Sequence, residues 1–234
     1  MNIGFVGLGL MGGPLARNLI RAGKHVLVYD LSEEAITRTL AAGTSGKGAK
    51  SVDEFGSCEL VFTCLPLPQH VQNVMSGANG IYAKMKMGGI HVELSTIDPQ
   101  SAESLAAEAK IRGISYIQST LLKTPMHAEK AEEPMYIGGD QDAIKKLEDI
   151  FKTIGLPYYV GSVAASCAAK LISNMVGMSN LVVLAEGFRL GEKAGLDKKL
   201  LLELLTDSGA RSFQMDVRGP WLAADDFNPR FGLD

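Results

Sequence analysis

The sequence is short of cysteine and histidine, and these shortages exclude two classes of protein. It contains three cysteines among 234 residues, an odd number without paired spacing, which predicts reduced thiols in a cytoplasmic protein and not a disulfide-bonded framework. The four histidines are scattered without the spacing of metal ligands. We therefore expect neither a structural nor a catalytic metal site.

Basic residues are not in excess, and long uninterrupted apolar runs are lacking. Lysine and arginine number 23 against 26 acidic residues, for a net charge of −3, and no basic cluster is present. This balance argues against a nucleic acid partner. We expect no membrane-spanning segment, and the apolar N-terminal run is broken by glycines and leads directly into the fold, unlike a signal peptide.

The segment from Asn2 to Asp30 contains the clearest motif. Its beginning predicts a short buried strand, and a glycine-rich turn then leads into an apolar helix from about Met11 to Ala22. Gly7 is expected to make the tight turn, Gly9 to let the backbone approach a pyrophosphate, and Gly12 to let the helix pack against the strand. The N–H groups at the helix N-terminus would bind the diphosphate. The turn consists of Gly7, Leu8, Gly9, Leu10, Met11 and Gly12.

The second strand, His25 to Tyr29, indicates which dinucleotide is bound. It ends at Asp30, where a carboxylate can accept hydrogen bonds from an adenine ribose. A 2′-phosphate beside Asp30 would meet like charge, and Leu31 and Ser32 offer no arginine to bind it. The sequence therefore predicts NAD in preference to NADP, with Asp30 and Leu31 at the cofactor.

Strands and helices alternate through the following residues. A loop from Gly43 to Gly48 precedes apolar strands at Glu59 to Pro66 and Gly88 to Leu94, and an amphipathic helix is expected near Asp140 to Thr153. This alternation predicts an α/β fold of the Rossmann type, with a doubly wound, mainly parallel sheet covered by helices on both faces.

The pattern changes at Gly161, where proline disappears and alanine, leucine and methionine dominate. We expect one long helix from about residue 163 to 194, and about thirty residues at ~1.5 Å each would span ~45 Å. Such a helix is longer than a compact domain needs. The sequence thus predicts an NAD-binding domain over residues 1–161 and an all-helical domain over residues 162–234.

Lys170 is the strongest candidate for proton transfer. It lies amid alanines early in this helix, and Asn174 follows four residues later on the same helix face. A lysine in apolar surroundings can have a lowered pKa and act as a general acid to a carbonyl or a general base to an alcohol. The alternative is a solvated surface lysine, and the pattern alone leaves both open.

Four motifs in order give the chain a resemblance to a known family. They are Phe5 to Gly12, the Leu65-Pro66 turn, Leu94 to Pro99, and Ala168 to Leu171 followed by Asn174. On these motifs the chain resembles, over essentially its full length, the β-hydroxyacid dehydrogenases, the family of 3-hydroxyisobutyrate dehydrogenase and related semialdehyde reductases. The resemblance also implies a helical C-terminal domain and assembly into homodimers or homotetramers.

The resemblance implies a role for several residues. Lys170 would be the catalytic acid or base, and Asn174 would orient the substrate or the lysine. Thr96 would border the nicotinamide, and Ser95 would contact the substrate. The remaining expected cofactor contacts are Cys64, Leu65, Pro66 and His70, although His70 is equally compatible with an ordinary surface position.

The chain departs from the family in the loop that follows the strand at Ile117. The family usually has Asp-Ala-Pro-Val-Ser-Gly-Gly there, whose serine and backbone amides hold the substrate carboxylate, whereas this chain reads Gln118 to Thr124. The side chain of Leu122 cannot donate a hydrogen bond, but Lys123 and Thr124 can, and they would suit a bulkier or more charged group. This is similar to the sulfolactaldehyde-reductase branch. Alternatively, Lys123 is a solvated loop residue.

The end of the chain is a second departure. Family members continue past the region of Phe231 into a Lys-Asp motif and further helices, whereas Asp234 is the last residue here. This difference predicts a C-terminally truncated chain, or a site that a partner subunit completes.

These observations predict an NAD-dependent oxidoreductase that passes hydride between nicotinamide and a small, acidic 3-hydroxy compound or its semialdehyde, similar to 3-hydroxyisobutyrate or sulfolactaldehyde. One alternative is a catalytically silent NAD-binding homologue. Another is an imine reductase on the same scaffold, which is disfavoured because those relatives generally prefer NADP and usually replace the lysine at the position of Lys170.

Overall fold

The computed structural model describes residues 1–228. Strands and helices alternate along these residues, as predicted. Within these residues the strands form one mainly parallel sheet, in the order β3-β2-β1-β4-β5-β6-β7-β8. The exception is the antiparallel pair β6 and β7. The predicted fold class is confirmed. The prediction about the C-terminal end, at Phe231 and Asp234, lies outside the described residues. The strands are β1 (Ile3–Val6), β2 (Val26–Tyr29), β3 (Gly46–Gly48), β4 (Leu60–Thr63), β5 (Ile90–Glu93), β6 (Ser115–Leu121), β7 (Pro134–Gly139) and β8 (Leu156–Gly161).

Several helices begin at residues whose side chains accept hydrogen bonds from the N-terminal amides. The Ser32 hydroxyl accepts the N–H of Ala35 at 3.2 Å, and the Asp98 carboxylate accepts the N–H of Ser101 at 2.9 Å, as expected of these capping residues. The helices are α1 (Gly12–Arg21), α2 (Glu33–Leu40), α3 (Pro68–Met75), α4 (Pro99–Ile111), α5 (Pro125–Glu129), α6 (Gln141–Lys146), α7 (Glu148–Ile154), α8 (Val163–Lys193), α9 (Lys198–Thr206) and α10 (Phe213–Ala223), with short 3-10 turns at Val52–Ser57 and Ile81–Ala83.

Two local predictions were wrong. The segment Gly43 to Gly48 was expected to be a loop, but its last three residues form β3 and pair with β2. The single helix expected near Asp140 to Thr153 is instead two helices, because Leu147 leaves the helical conformation at φ −100° and ψ 8°. Leu147 is fully buried, so its side chain packs in the core at this break.

The sheet separates two buried apolar clusters, as alternation along its strands requires. Phe5 and Phe62 stack with ring centroids 5.4 Å apart and belong to one cluster. Val6 and Val61 belong to the other cluster, which also includes Cys167 from the start of α8. The edge formed by the carboxyl ends of β1, β4 and β5 lies above this core, and most of the predicted site residues follow those strands.

The chain divides into two compact units, Met1–Lys170 and Leu171–Asp234. In the second unit a small cluster, including Leu184 and Phe188 of α8, is packed by apolar residues of α9 and α10. The division falls inside α8, and the boundary predicted between residues 161 and 162 stays a prediction.

The expectation that no segment is long and apolar enough to span a membrane was wrong. Helix α8 is long and apolar enough to cross a bilayer, with a mean hydropathy of 1.4 over an 18-residue window of which 11% is buried. The reason is that its glycines and serines interrupt the apolar pattern without adding charge. The expectation of a single long helix near residues 163 to 194 was correct.

Candidate active site and cofactor site

The glycine-rich turn after β1 has the close contacts that were expected of it. Gly7 has a φ of +93°, and a Cβ there would lie 2.2 Å from the carbonyl oxygen of Cys64. A Cβ on Gly12 would lie 2.0 Å from the carbonyl oxygen of Gly7. Any side chain at either position would therefore collide with backbone, which is why the turn requires glycine.

Gly9 differs from Gly7 and Gly12 because no atom of the described residues lies within 4 Å of the position of its Cβ. No contact with these residues requires glycine here, so the open space suits the close approach of a ligand. Helix α1 begins beside it with no side-chain hydrogen bond at its N-cap, Met11, and no acidic residue in its first turn. Leu10 is exposed. The N-terminus of α1 can therefore bind an anion.

Asp30 lies against this turn. Its Oδ2 accepts the N–H of Leu8 at 2.6 Å, and its Oδ1 accepts the N–H of Ser32 at 2.8 Å. Because a carboxylate has further lone pairs, Asp30 can still accept hydrogen bonds from a ribose. Leu31, which follows it, is almost fully exposed.

The loops after β4 and β5 are joined by a hydrogen bond. The Ser95 hydroxyl accepts the N–H of Leu65 at 2.8 Å, and Cys64 contacts the turn at Gly7. Ser95 is buried, whereas Pro66 and Thr96 are exposed at this edge. Ser95 thus supports the loop from inside, and its contact with substrate stays a prediction.

A buried polar network lies beneath these loops, and sequence reasoning missed it. The Glu93 carboxylate accepts the N–H of Ser95 at 2.6 Å and the hydroxyl proton of Thr63 at 2.5 Å. The Thr63 hydroxyl has one hydrogen and donates it to Glu93. The Thr63 oxygen can therefore only accept from His91, whose Nε2 lies 2.7 Å away and donates its N–H. Nδ1 of His91 then accepts the Tyr82 hydroxyl at 2.6 Å. The available signal was an acid at the end of β5, Ile90–Glu93, two residues after His91.

A second buried acid, which sequence reasoning missed, contacts the predicted substrate loop, Gln118 to Thr124. Oε1 of Glu133 accepts the N–H of Leu122 at 2.5 Å and the N–H of Lys123 at 2.6 Å. The Glu133 side chain is fully buried, and its Oε2 has no hydrogen-bond partner among the described residues. Burial raises the pKa of Glu133, opposed by these amides and by the charges of Lys170 and His127.

Lys170 is half-buried on α8. Burial lowers the pKa of its ammonium group, and the negative charge of Glu133 opposes that change. Asn174 follows one helical turn later and is exposed. It belongs to the second unit.

The remaining candidates are at the surface. The Lys123 side chain is exposed, and its backbone N–H donates to Glu133. Oγ1 of Thr124 lies 2.8 Å from Nδ1 of His127. His70 is exposed in α3. The described residues contain no group of three or more potential metal ligands.

Comparison with known families agrees with this geometry. Residues 2–167 match the model of the NAD binding domain of 6-phosphogluconate dehydrogenase. Residues 164–234 match the model of the NAD-binding region of NADP-dependent 3-hydroxyisobutyrate dehydrogenase. The chain belongs to the β-hydroxyacid dehydrogenase family. It is therefore an oxidoreductase that acts on CH–OH groups, as the sequence predicted.

Relatives in this family cover nearly all of the chain. It is 30% identical over 236 residues to 2-(hydroxymethyl)glutarate dehydrogenase of Eubacterium barkeri, covering 100% of this chain and 78% of that protein. It is 32% identical to NAD-dependent L-serine dehydrogenase of Pseudomonas aeruginosa, covering 94% and 74%. Among solved structures, 3-hydroxyisobutyrate dehydrogenase of Mycobacterium tuberculosis with L-serine has a TM-score of 0.87 at 26% identity, covering 98% of this chain and 80% of that one.

The cofactor of this β-hydroxyacid dehydrogenase is NAD, and the residues at the carboxyl ends of the strands fit that cofactor. The open space at Gly9 and the uncapped N-terminus of α1 suit a diphosphate, as in other dinucleotide-binding turns. Asp30 is held beside the same turn through Leu8.

Proposed function

We propose that this chain is a dehydrogenase for a small, acidic 3-hydroxy compound or the corresponding semialdehyde, with Lys170 as its general acid or base. The observation that supports this role is the half-buried position of Lys170 and its electrostatic interaction with the buried Glu133 beside the substrate loop. A solvated surface lysine would have neither feature. When bound, NAD would supply the hydride acceptor for oxidation of the alcohol carbon, and NADH the hydride donor for reduction of the carbonyl.

Lys170 handles the proton that accompanies this transfer. Burial lowers its pKa, which makes the neutral amine more accessible near neutral pH. In the oxidative direction the amine takes the proton of the substrate hydroxyl, and in the reductive direction the ammonium gives a proton to the carbonyl oxygen. Asn174, one turn further along α8, is proposed to orient the substrate or the lysine.

The cofactor is proposed to lie along the carboxyl ends of β1, β2, β4 and β5. The turn from Gly7 to Gly12 would hold the diphosphate, and Asp30 and Leu31 would border the adenine ribose. The loops after β4 and β5 would border the nicotinamide half, and the hydrogen bond between Leu65 and Ser95 supports their fixed position. The proposed contacts in these loops are Cys64, Leu65, Pro66, His70 and Thr96.

Substrates similar to 3-hydroxyisobutyrate or sulfolactaldehyde define the first experiment. A panel of the semialdehydes should be tested for oxidation of NADH, and the corresponding hydroxyacids for reduction of NAD. Turnover of at least one pair is the expected result. Binding of NADH without turnover of any compound would favour the silent NAD-binding homologue instead. Turnover of imines with NADPH alone would favour an imine reductase.

We also propose that α8 binds a second copy of the chain. Several of its apolar residues are at least half exposed, including Ile172 at 57%, Met175 at 63% and Val183 at 66%. A face of this size usually marks an interface. The other side of the helix packs on α9 and α10, as in a folded helical domain, which supports a protein partner over a bilayer.

The free thiols of Cys58, Cys64 and Cys167 support the proposed cytoplasmic location.

A further inference from the structure

The Glu133 carboxylate already accepts hydrogen bonds from two backbone amides in the substrate loop. Both N–H groups, of Leu122 and Lys123, donate to one oxygen of its carboxylate, at 2.5 and 2.6 Å. Hydrogen bonds from backbone amides to a carboxylate are charge-assisted and strong. A substrate carboxylate at the same amides would have to displace this oxygen and would then face the negative charge of Glu133.

The other oxygen of Glu133 is the unusual feature. Oε2 is buried and accepts no hydrogen bond from any described residue, although buried polar atoms are nearly always paired. Leaving such an oxygen unpaired is costly. A ligand that brings a hydrogen-bond donor to Oε2 would remove this cost, whereas a ligand that brings an acceptor would increase it.

The charges around Glu133 favour a cationic donor. The ionisable groups that act on its carboxylate are Lys170 and His127, and within the described residues neither donates a hydrogen bond to Oε2. When Lys170 is the neutral base, the charge of Glu133 loses its main counterion. An ammonium group of the substrate would replace that counterion.

We infer that Glu133 is a substrate-binding residue that selects a hydroxy compound with an ammonium group, and rejects one with a carboxylate, at the position beside Leu122 and Lys123. This inference rests on the proposed function, because it takes the site around Lys170 to be the substrate site. A carboxylate elsewhere on the same substrate is compatible with it, so an amino-substituted hydroxyacid fits.

Two small probes test this selection. 2-Aminoethanol and 3-hydroxypropionate place an ammonium and a carboxylate, respectively, at the same distance from a primary alcohol. Their affinities for the NADH complex should be measured by titration calorimetry, which requires no turnover. We expect the wild-type protein to bind 2-aminoethanol at least ~10-fold more tightly, because one buried charge decides between the two ligands.

Two substitutions separate the charge of Glu133 from its occupation of the amides. Glu133→Gln keeps an acceptor for both amides without the charge and should abolish the preference by weakening 2-aminoethanol ~10-fold or more. Glu133→Leu frees the amides and should strengthen 3-hydroxypropionate. Glu132→Gln, at an exposed neighbouring acid, is the matched control and should change neither affinity. Unchanged NADH affinity would show that each variant is folded.

The inference is wrong if the wild-type protein prefers 3-hydroxypropionate or binds neither probe, or if Glu133→Gln leaves the preference intact. The proposed function fails in a different way, namely if no alcohol or semialdehyde is turned over. Binding and turnover are therefore separate readouts, and either hypothesis can fail while the other survives.

Discussion

Glu93 and His91 lie on the same face of β5, with Oε2 of the carboxylate 3.7 Å from Nε2 of the imidazole, and both side chains are fully buried. Burial raises the pKa of Glu93 to about 7 and lowers the pKa of His91 to about 3, because each charged form loses its hydration. His91 is therefore neutral near pH 7, and the two residues are connected through the Thr63 hydroxyl and not as an ion pair.

The first prediction concerns the free energy of unfolding of Glu93→Gln. The folded pKa of Glu93, about 7, lies above its ordinary value of 4.5, so the folded state holds a proton that the unfolded state releases within this window. The contribution of Glu93 to stability therefore falls as the pH rises from 4.5 to 7, by about 1.4 kcal/mol per pH unit. Relative to wild type, the stability of the variant should therefore rise with pH across this window at the same rate, as measured by urea denaturation at several pH values.

His91 makes this result easier to recognise. Its folded pKa, about 3, lies below its ordinary value of 6.5, so the unfolded state binds the extra proton and stability rises with pH through that window. In the wild-type protein the two effects oppose each other, whereas Glu93→Gln retains only that of His91. Glu148→Gln, at an exposed acid paired with Lys152, is the control without this slope. Parallel stability curves for Glu93→Gln and wild type would contradict the explanation.

The parts of the fold that the sequence predicted depend on local patterns. The turn from Gly7 to Gly12 is recognisable because its three glycines fall within a few residues, and a Cβ at Gly7 or Gly12 would collide with backbone. The length of α8 follows from a long run without proline. Strand β3 was missed because Gly46–Gly48 has no strand pattern of its own and forms by pairing with β2.

The two buried acids of the site could not be assigned from sequence because their partners are set by tertiary structure. Glu133 reaches Leu122, 11 residues away, only because β6 and β7 pair antiparallel. Glu93 reads as a polar residue at a strand end, and its contact with Thr63 requires β4 and β5 to be neighbours. Leu122 and Lys123 stay predicted substrate contacts, and what the structure shows is that their backbone amides donate to Glu133.

The second prediction concerns the choice of cofactor. NADH should bind more tightly than NADPH, because a 2′-phosphate beside the Asp30 carboxylate would meet like charge. Asp30→Asn keeps an acceptor for Leu8 and removes the charge, so it should shrink the difference by improving NADPH binding. Titration calorimetry with both reduced cofactors measures this. Equal affinities in the wild-type protein would refute the assignment of Asp30.

The third prediction concerns assembly. The chain should be a dimer or tetramer at micromolar concentration by light scattering, and a charge on the exposed face of α8 should dissociate it. Met175→Lys and Val183→Lys each place a lysine at a position that is more than half exposed in a single chain. Met87→Lys changes an exposed methionine outside α8, at 85% exposure, and should leave the mass unchanged. A monomeric mass for the wild-type protein would rule the interface out.

The last prediction concerns Lys170. If it transfers the proton, Lys170→Ala should lower kcat by ~10²–10⁴. NAD affinity should stay nearly unchanged, because the diphosphate is proposed to bind at the turn from Gly7 to Gly12 and not at Lys170. Lys193→Ala removes an exposed lysine at the end of the same helix and is the matched control. Steady-state rates with the active semialdehyde, together with calorimetric NAD affinities, make this comparison.

Lys170→Arg separates proton transfer from electrostatic attraction. Arginine keeps the positive charge next to Glu133 but, with a pKa above ~12, does not release its proton near neutral pH. The variant should therefore bind substrate yet recover little of the lost kcat. The buried carboxylate of Glu133 would be neutralised equally well by either cation, so a structural role of Lys170 would be rescued. Nearly full turnover by Lys170→Arg would mean that Lys170 is only a counterion and that another group supplies the proton.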